Sequence, residues 1–414
     1  MKMRSILLSV LAIAVLASCA KDNGLGAGED GDASEAKVTL RLKGNGSPSS
    51  RAAGSVVGDD ESINTLTVFF LNASDGVIGT PLWIDGTGTP TTNLTTTTDA
   101  RRVVVIANLG TDPTATGGLF HGVKTLSQIQ GKLGDLISGV APTQNSGDVY
   151  MSGVGVLSAF TLDGTTQKAT ATVTLNFVSA RIQIMAIEWN GGTETSNQYA
   201  DKAAFTATVN ADFTIERIYL MNVQTKTQFL PNTIGWTNSP PTLGTDYIKK
   251  TDRSFAGGMS WSGMWTGAQP TGFVQNTEYL LNSMPVVDAT GNKLESPGYW
   301  YVFTNNTDVT ATTDHPTVLV VVTKWRSVAN STTTTDLKTR YFTVYFGGGD
   351  QEAIAAGNDY QVTLKLNGSF KPTEDGGDGG GGTDDPSKPT VNSAVDITVN
   401  VKPWVVKTID KEWN

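Results

Sequence analysis

The chain is written in short runs of β-branched and aromatic residues, each ended by Gly, Thr, Asn or Asp, and this confines most of it to sheet. Ile63–Leu71 (INTLTVFFL) and Arg102–Ala107 (RVVVIA) are too short for helices and apolar enough for core strands. Further strands are expected at Tyr150–Val156, Val173–Phe177, Ala180–Ile187, Ala203–Val209, Ile215–Met221, Tyr299–Phe303, Thr317–Lys324, Arg340–Phe346 and Tyr360–Leu366. One segment reads as a helix: in Leu126–Ile137 the residues Leu126, Ile129, Leu133, Leu136 and Ile137 fall near helical spacing. No repeat of solenoid length is evident. The expected fold class is therefore all-β, with two tandem β-sandwich domains over residues 52–167 and 168–370 and a minor helix.

Composition removes several function classes. Forty-five glycines and a charged fraction of 17% suit a β-rich protein. A net charge of −9 supplies no basic stripe for phosphates, so nucleic acid is not an expected partner. Only two histidines, His121 and His315, are present, and they lie far apart in sequence. That is a poor basis for a zinc site or a Ser-His nucleophile, and no convergent carboxylates suggest a hydrolase. No enzyme activity, cofactor or metal site is expected.

The N-terminus carries an address. Lys2 and Arg4 precede an apolar run, Ile6–Ala17, which is short for a bilayer span and right for a signal-peptide core. It ends in Leu16-Ala17-Ser18-Cys19, which resembles the lipobox of bacterial lipoproteins; residues 1–19 are read as the signal peptide with Cys19 as the lipidated residue. Cys19 is the sole cysteine, so no disulfide can form within one chain.

Two strands bracket the sandwiches and are not obviously part of them. Near the N-terminus, in a propeptide spanning 20–51, Val38, Leu40 and Leu42 alternate with Thr39, Arg41 and Lys43, a strand with one apolar face. Turn and linker residues follow from Gly44 to Ser62 and place Arg51 in an exposed segment, whereas Arg102, Arg181, Arg217 and Arg340 fall in or against strands and Arg253 alone is a comparable loop residue. At the other end (394–414), Val395, Ile397, Val399 and Val401 alternate with Asp396, Thr398, Asn400 and Lys402 before Pro403 and Trp404. A Gly-rich linker, 371–393, precedes this strand and could extend to about 75 Å.

An immunoglobulin-like or transthyretin-like sandwich that lacks one strand accepts a strand from elsewhere, the backbone ladder giving affinity and alternate side chains filling pockets. Val38, Leu40 and Leu42 are expected to plug such a groove in a precursor. A cut between Arg51 and Ala52 would free the plug, and the strand carrying Val395, Ile397, Val399, Val401 and Trp404 is expected to act as donor to a neighbour.

At these residues the chain resembles the fimbrillins, FimA-type major subunits of type V pili. The resemblance rests on Cys19, on Ser50-Arg51-Ala52 with Val57–Ser62 after it, and on Leu66-Thr67-Val68 and Arg102–Gly110. It continues through Ser179-Ala180-Arg181, His315-Pro316-Thr317, Asn358-Asp359-Tyr360 and the Val401-Lys402-Pro403-Trp404 ending. It implies two transthyretin-like domains and export to the outer membrane as a palmitate-bearing lipoprotein, the lipid being the only membrane contact. An extracellular Arg-specific protease would remove residues through Arg51, and donor-strand exchange would then build a fimbrium. Its partners would be identical subunits, with minor anchor or tip pilins, in a structure that supports adhesion. The Gly-rich linker is longer than the family pattern, and the presence of a C-terminal donor favours a stalk role.

Blander readings apply to other motifs. Gly376–Gly382 with Asp375, Asp378, Asp384 and Asp385 matches no calcium-loop ligand order and reads as a solvated linker. Trp261, Trp265, Tyr279, Trp300 and Tyr301 could form a carbohydrate platform, the basis of an alternative reading as a glycan-binding surface lipoprotein; aromatics of sandwiches are more often core.

Overall fold

The computed structural model describes residues 33–44, 62–85, 93–138, 141–190, 213–236, 247, 255–256, 279–280, 293–305, 316–328, 331–347, 352–367 and 395–403. The expected strand at Ala203–Val209, the linker 371–393, and Cys19, Arg51, Ala52, Trp261, Trp265 and Trp404 lie outside them.

The first half contains β1 (Glu35–Gly44), β2 (Thr65–Leu71), β3 (Leu82–Asp85), β4 (Leu94–Thr97) and β5 (Arg102–Ala107). After α1 (Leu126–Gln130) come β6 (Leu133–Asp135), β7 (Ile137–Ser138), β8 (Ala141–Pro142), β9 (Met151–Val156), β10 (Thr161–Asp163) and β11 (Thr166–Phe177). One sheet runs β3-β2-β5-β9-β11-β1-β4, with β10 also paired to β11. This sheet curls: β9 meets β11 at only two residue pairs, Ser152 with Asn176 and Met151 with Phe177. Beyond that point the backbones cross closely, since a Cβ on Gly153 would stand 2.3 Å from the Thr174 carbonyl oxygen and one on Gly155 2.7 Å from that of Thr172. Glycine is what the crossing admits. The alternation of β2 decides which core each side chain joins. Leu66, Val68 and Phe70 enter the interior shared with β5, β11, β1 and β4. Phe69 and Leu71 face the opposite way, toward Phe120, Leu126, Ile129, Phe229 and Leu230.

The second half contains β12 (Ala180–Asn190), β13 (Phe213–Met221), β14 (Val223–Gln224), β15 (Lys226–Gln228), β16 (Phe255–Ala256) and β17 (Tyr279–Leu280). It continues with β18 (Lys293–Val302), β19 (Val318–Arg326), β20 (Leu337–Tyr345), β21 (Asn358–Asn367) and β22 (Val395–Pro403). Two four-stranded sheets, β18-β12-β21-β22 and β17-β13-β19-β20, enclose one core. Ile182, Ile184, Val362 and Leu364 fill it from one sheet, and Ile218, Leu220, Val321 and Phe342 from the other.

Two expectations are corrected. The strand expected to open the second domain, Val173–Phe177, is the end of β11 and completes the first sheet; the halves join through Val178 and Ser179. The helix expected over Leu126–Ile137 stops at Gln130. Thr125 caps it, its hydroxyl accepting from the Gln128 amide at 3.3 Å, and Gly131 ends it. Leu133–Asp135 then extends to pair with Gln228–Lys226 of the second half. The Phe229 ring lies over Gly134, where a Cβ would approach it to 2.7 Å, so tertiary pairing overrides the helical spacing. Trp300 and Tyr301 are core residues, as sandwich aromatics most often are: Trp300 lies in the second core and Tyr301 in the first.

Candidate assembly site

The candidate site is the slot that β1 fills. Its outer wall is β11, whose residues Gln167–Leu175 pair parallel with Ala36–Gly44; its other wall is β4, where Thr97–Leu94 pair antiparallel with Glu35–Val38. Ala36, Val38, Leu40 and Leu42 are all buried, and the last three share one core cluster with Leu66, Val68, Leu94, Val103 and Val105. A buried Val or Leu side chain contributes about 1.5–3 kcal/mol. Opposite Val38 and Leu40, β11 carries Ala169 and Ala171, whose single methyl groups leave room for larger neighbours.

The outward face of β1 is basic. Lys37 pairs with Glu35 at 2.8 Å and donates to Thr95 Oγ1 at 2.7 Å. That contact holds the Glu35 carboxyl below the usual range. Lys37 stands opposite Lys168, which is itself paired with Asp163 at 2.6 Å. The β4 wall covers only the first half of β1. Asn93, in the left-handed region at φ 59°, turns the chain off the ladder at Leu94. Among the described residues, Thr39–Gly44 are paired on the β11 side alone.

Asn108 anchors the chain at Ser62 and Asn64, just ahead of β2. It adopts φ 66°, donates to the carbonyls of Ser62 and Val149 at 2.8 Å each, and accepts from the Asn64 amide at 2.8 Å. Asn64 in turn donates to the Gly147 carbonyl at 2.8 Å. From Ser62 onward the chain is thus tied to β5 and β9 independently of β1.

The second candidate element is β22, an edge strand. It pairs antiparallel with β21 of its own chain, from Leu366 opposite Val395 to Asn358 opposite Pro403, with Asp396 opposite Lys365. The C-terminal strand therefore has a partner inside the monomer. Ile397 and Val399 pack, half-buried, on the second core, and Thr398 between them is exposed. The other edge of β22 has no partner among the described residues.

The structure thus brings Val38, Leu40 and Leu42 together in one slot, and sets Val395, Ile397, Val399 and Val401 on a separate sheet. Sequence reasoning found the end of the β11 wall at Val173–Phe177 but missed the β4 wall and the role of Asn108. The Thr-rich Leu94–Thr97 has β propensity but no alternation to flag it, and Asn108 followed by Gly110 at φ 74° carried only a generic turn signal. Among the described residues no cluster of His, Cys, Asp and Glu could hold a metal ion, and no helix is long and apolar enough to cross a membrane.

Two family descriptions match the sequence. "Major fimbrial subunit protein (FimA)" matches residues 36–200, a span that begins within β1. "FimA-like major fimbrial subunit protein, C-terminal domain" matches residues 268–404, a span that takes in β22. Among solved structures, a proposed cell adhesion protein from Bacteroides eggerthii superposes with TM-score 0.61 at 24% identity, covering 91% of this chain and 98% of its own. A fimbrilin (FimA) from Porphyromonas gingivalis gives TM-score 0.57 at 18% identity, covering 90% and 98%. A proposed cell adhesion protein from Parabacteroides distasonis gives 0.53 at 14%, covering 90% and 100%. No curated protein sequence matches the chain.

Proposed function

Since the chain belongs to the FimA-type fimbrillins, structural subunits of cell-surface fimbriae, we propose that it is exported as a lipoprotein through Cys19, cut between Arg51 and Ala52, and polymerised by donor-strand exchange. The observation that carries this reading is β1. It is a complete core strand by burial, yet it lies on the N-terminal side of Arg51, so a cut there turns an intramolecular strand into a removable one. The fold is prepared for that loss, because the Asn108 clasp holds Ser62 and Asn64 from the other side of the cut. The donor is β22, an edge strand with a Gly-rich linker before it, which exchanges β21 of its own chain for the slot of the next subunit. Identical subunits are the main partners, with minor anchor or tip pilins at the ends. A C-terminal donor strand favours a stalk role for this chain.

Treating the purified precursor with an Arg-specific protease is expected to yield an oligomer ladder whose subunits begin at Ala52. Arg51→Ala is expected to give a folded precursor that stays monomeric under the same treatment. A stable cleaved monomer would instead indicate a glycan-binding lipoprotein, and a different N-terminus in the assembled material would move the cut site. Metabolic labelling with a fatty acid is expected to mark the wild type and not Cys19→Ala; label persisting in the variant would refute the lipid assignment.

A further inference from the structure

The plug and the C-terminal strand carry one pattern. Ala36-Lys37-Val38-Thr39-Leu40-Arg41-Leu42-Lys43 and Val395-Asp396-Ile397-Thr398-Val399-Asn400-Val401-Lys402 alternate in phase over eight residues, with Thr at the fourth place and Lys at the eighth in both. We propose, resting on the donor-strand reading above, that β22 of a second copy of this chain takes the slot in the register β1 now occupies, parallel to β11. Val395, Ile397, Val399 and Val401 then stand where Ala36, Val38, Leu40 and Leu42 stand.

Three observations single out this register. The first is volume: the two sets of four inward side chains differ by one carbon in total, a swap that a packed interior tolerates. The gains fall where Val395 replaces Ala36 and where Ile397 enters beside Ala169, and the losses where valines replace Leu40 and Leu42.

The second is charge. In the monomer Lys37 stands opposite Lys168, a like-charge cross-strand pair. The in-register donor brings Asp396 to that place and converts the pair to an attractive one, just as Asp396 stands opposite Lys365 at home. Reversing the donor would set Asp396 opposite Thr172 and forfeit this.

The third is Pro403. In register it falls at Gly44, the last rung of the ladder. Sliding the donor two residues one way would put Pro403 at Leu42, mid-ladder, where proline lacks the N–H. Sliding it the other way would put the hydroxyl of Ser393 into the site of fully buried Ala36, where a polar group without a partner is costly. The same register gives the exchange a direction, because Thr39–Gly44, paired on one side only among the described residues, is the half of β1 an incoming strand meets with least to displace.

Disulfide trapping tests the register. With Cys19→Ala the chain contains no cysteine. Asn400→Cys is then combined in turn with Lys168→Cys, Thr170→Cys, Thr172→Cys and Thr174→Cys, the precursors are cut and polymerised, and non-reducing gels are read. A disulfide needs Cα atoms within about 7 Å, and a two-residue slip exceeds that. The expected result is a covalent ladder with Thr172→Cys and loss of it with the other three. A ladder with Thr170→Cys or Thr174→Cys would overturn the register, and one with Lys168→Cys the direction, each leaving strand donation intact. Polymer that grows from a chain lacking Val395–Asn414 would overturn both the register and the donor reading.

Discussion

Under the proposed cut, Leu40 serves one state of the protein and not the other. Buried at 3% exposure at the middle of β1, it is a core residue of the precursor and is absent after a cut at Arg51. Leu40→Ala should therefore destabilise the precursor by about 2–4 kcal/mol in urea unfolding, the cost of a buried truncation, while leaving the assembled, cut subunit unchanged. Asn108 is the converse case, needed in both states. Asn108→Ala removes two donated bonds and one accepted bond and puts an alanine at positive φ, so both precursor and polymer should lose about 2–4 kcal/mol. Arg181 and Asp359 form a buried bidentate pair, Nε to Oδ1 at 2.9 Å and Nη2 to Oδ2 at 3.0 Å, between paired residues of β12 and β21. The resemblance had marked both residues, and the geometry gives them a job: cross-linking the two strands of the sheet that carries β22.

At the scale of elements, β1 and β22 differ in how they are held. β1 has β11 along its length, β4 along its first half, and four buried side chains; β22 has one neighbour and two half-buried side chains on the described core. Deleting Val395–Asn414 should accordingly leave a folded monomer, with cooperative unfolding by circular dichroism, and abolish polymer growth after cleavage. A monomer that unfolds on this deletion would show that β22 belongs to its own sandwich first. Ile397→Asp and Thr398→Asp separate the faces: the first puts a charge into an apolar pocket and should stop assembly, and the second, on the exposed face, should slow it little in the same gel assay.

At the scale of the whole molecule, the two halves are joined by more than the Val178-Ser179 link. The β6–β15 ladder, the Asp135–Lys226 pair at 2.6 Å, the edge-on rings of Tyr150, Phe120 and Phe229, and Arg102 over Trp236 at 5.0 Å all bridge them. A fimbrial subunit under tension needs such a join. Gly134→Val, which drives a side chain into the Phe229 ring, should lower the thermal midpoint and split a single unfolding transition into two by calorimetry. Strand identity and facing were legible from residues alone, because a period of two is local: Val38, Leu40 and Leu42, or Leu66, Val68 and Phe70, declare one apolar face without reference to any partner. Partner choice was not legible, because pairing depends on contacts distant in sequence. Only the tertiary structure decided that β1 lies parallel to β11, that the end of β11 belongs to the first sheet, that Leu133–Asp135 leaves a helical pattern to pair across the halves, and that β22 rests on β21. At Leu133–Asp135 the burial gained between remote segments outweighed a local helical preference of a few tenths to about 1 kcal/mol per residue; for β1, β11 and β22 the local pattern set the strand and remote contacts chose its neighbour.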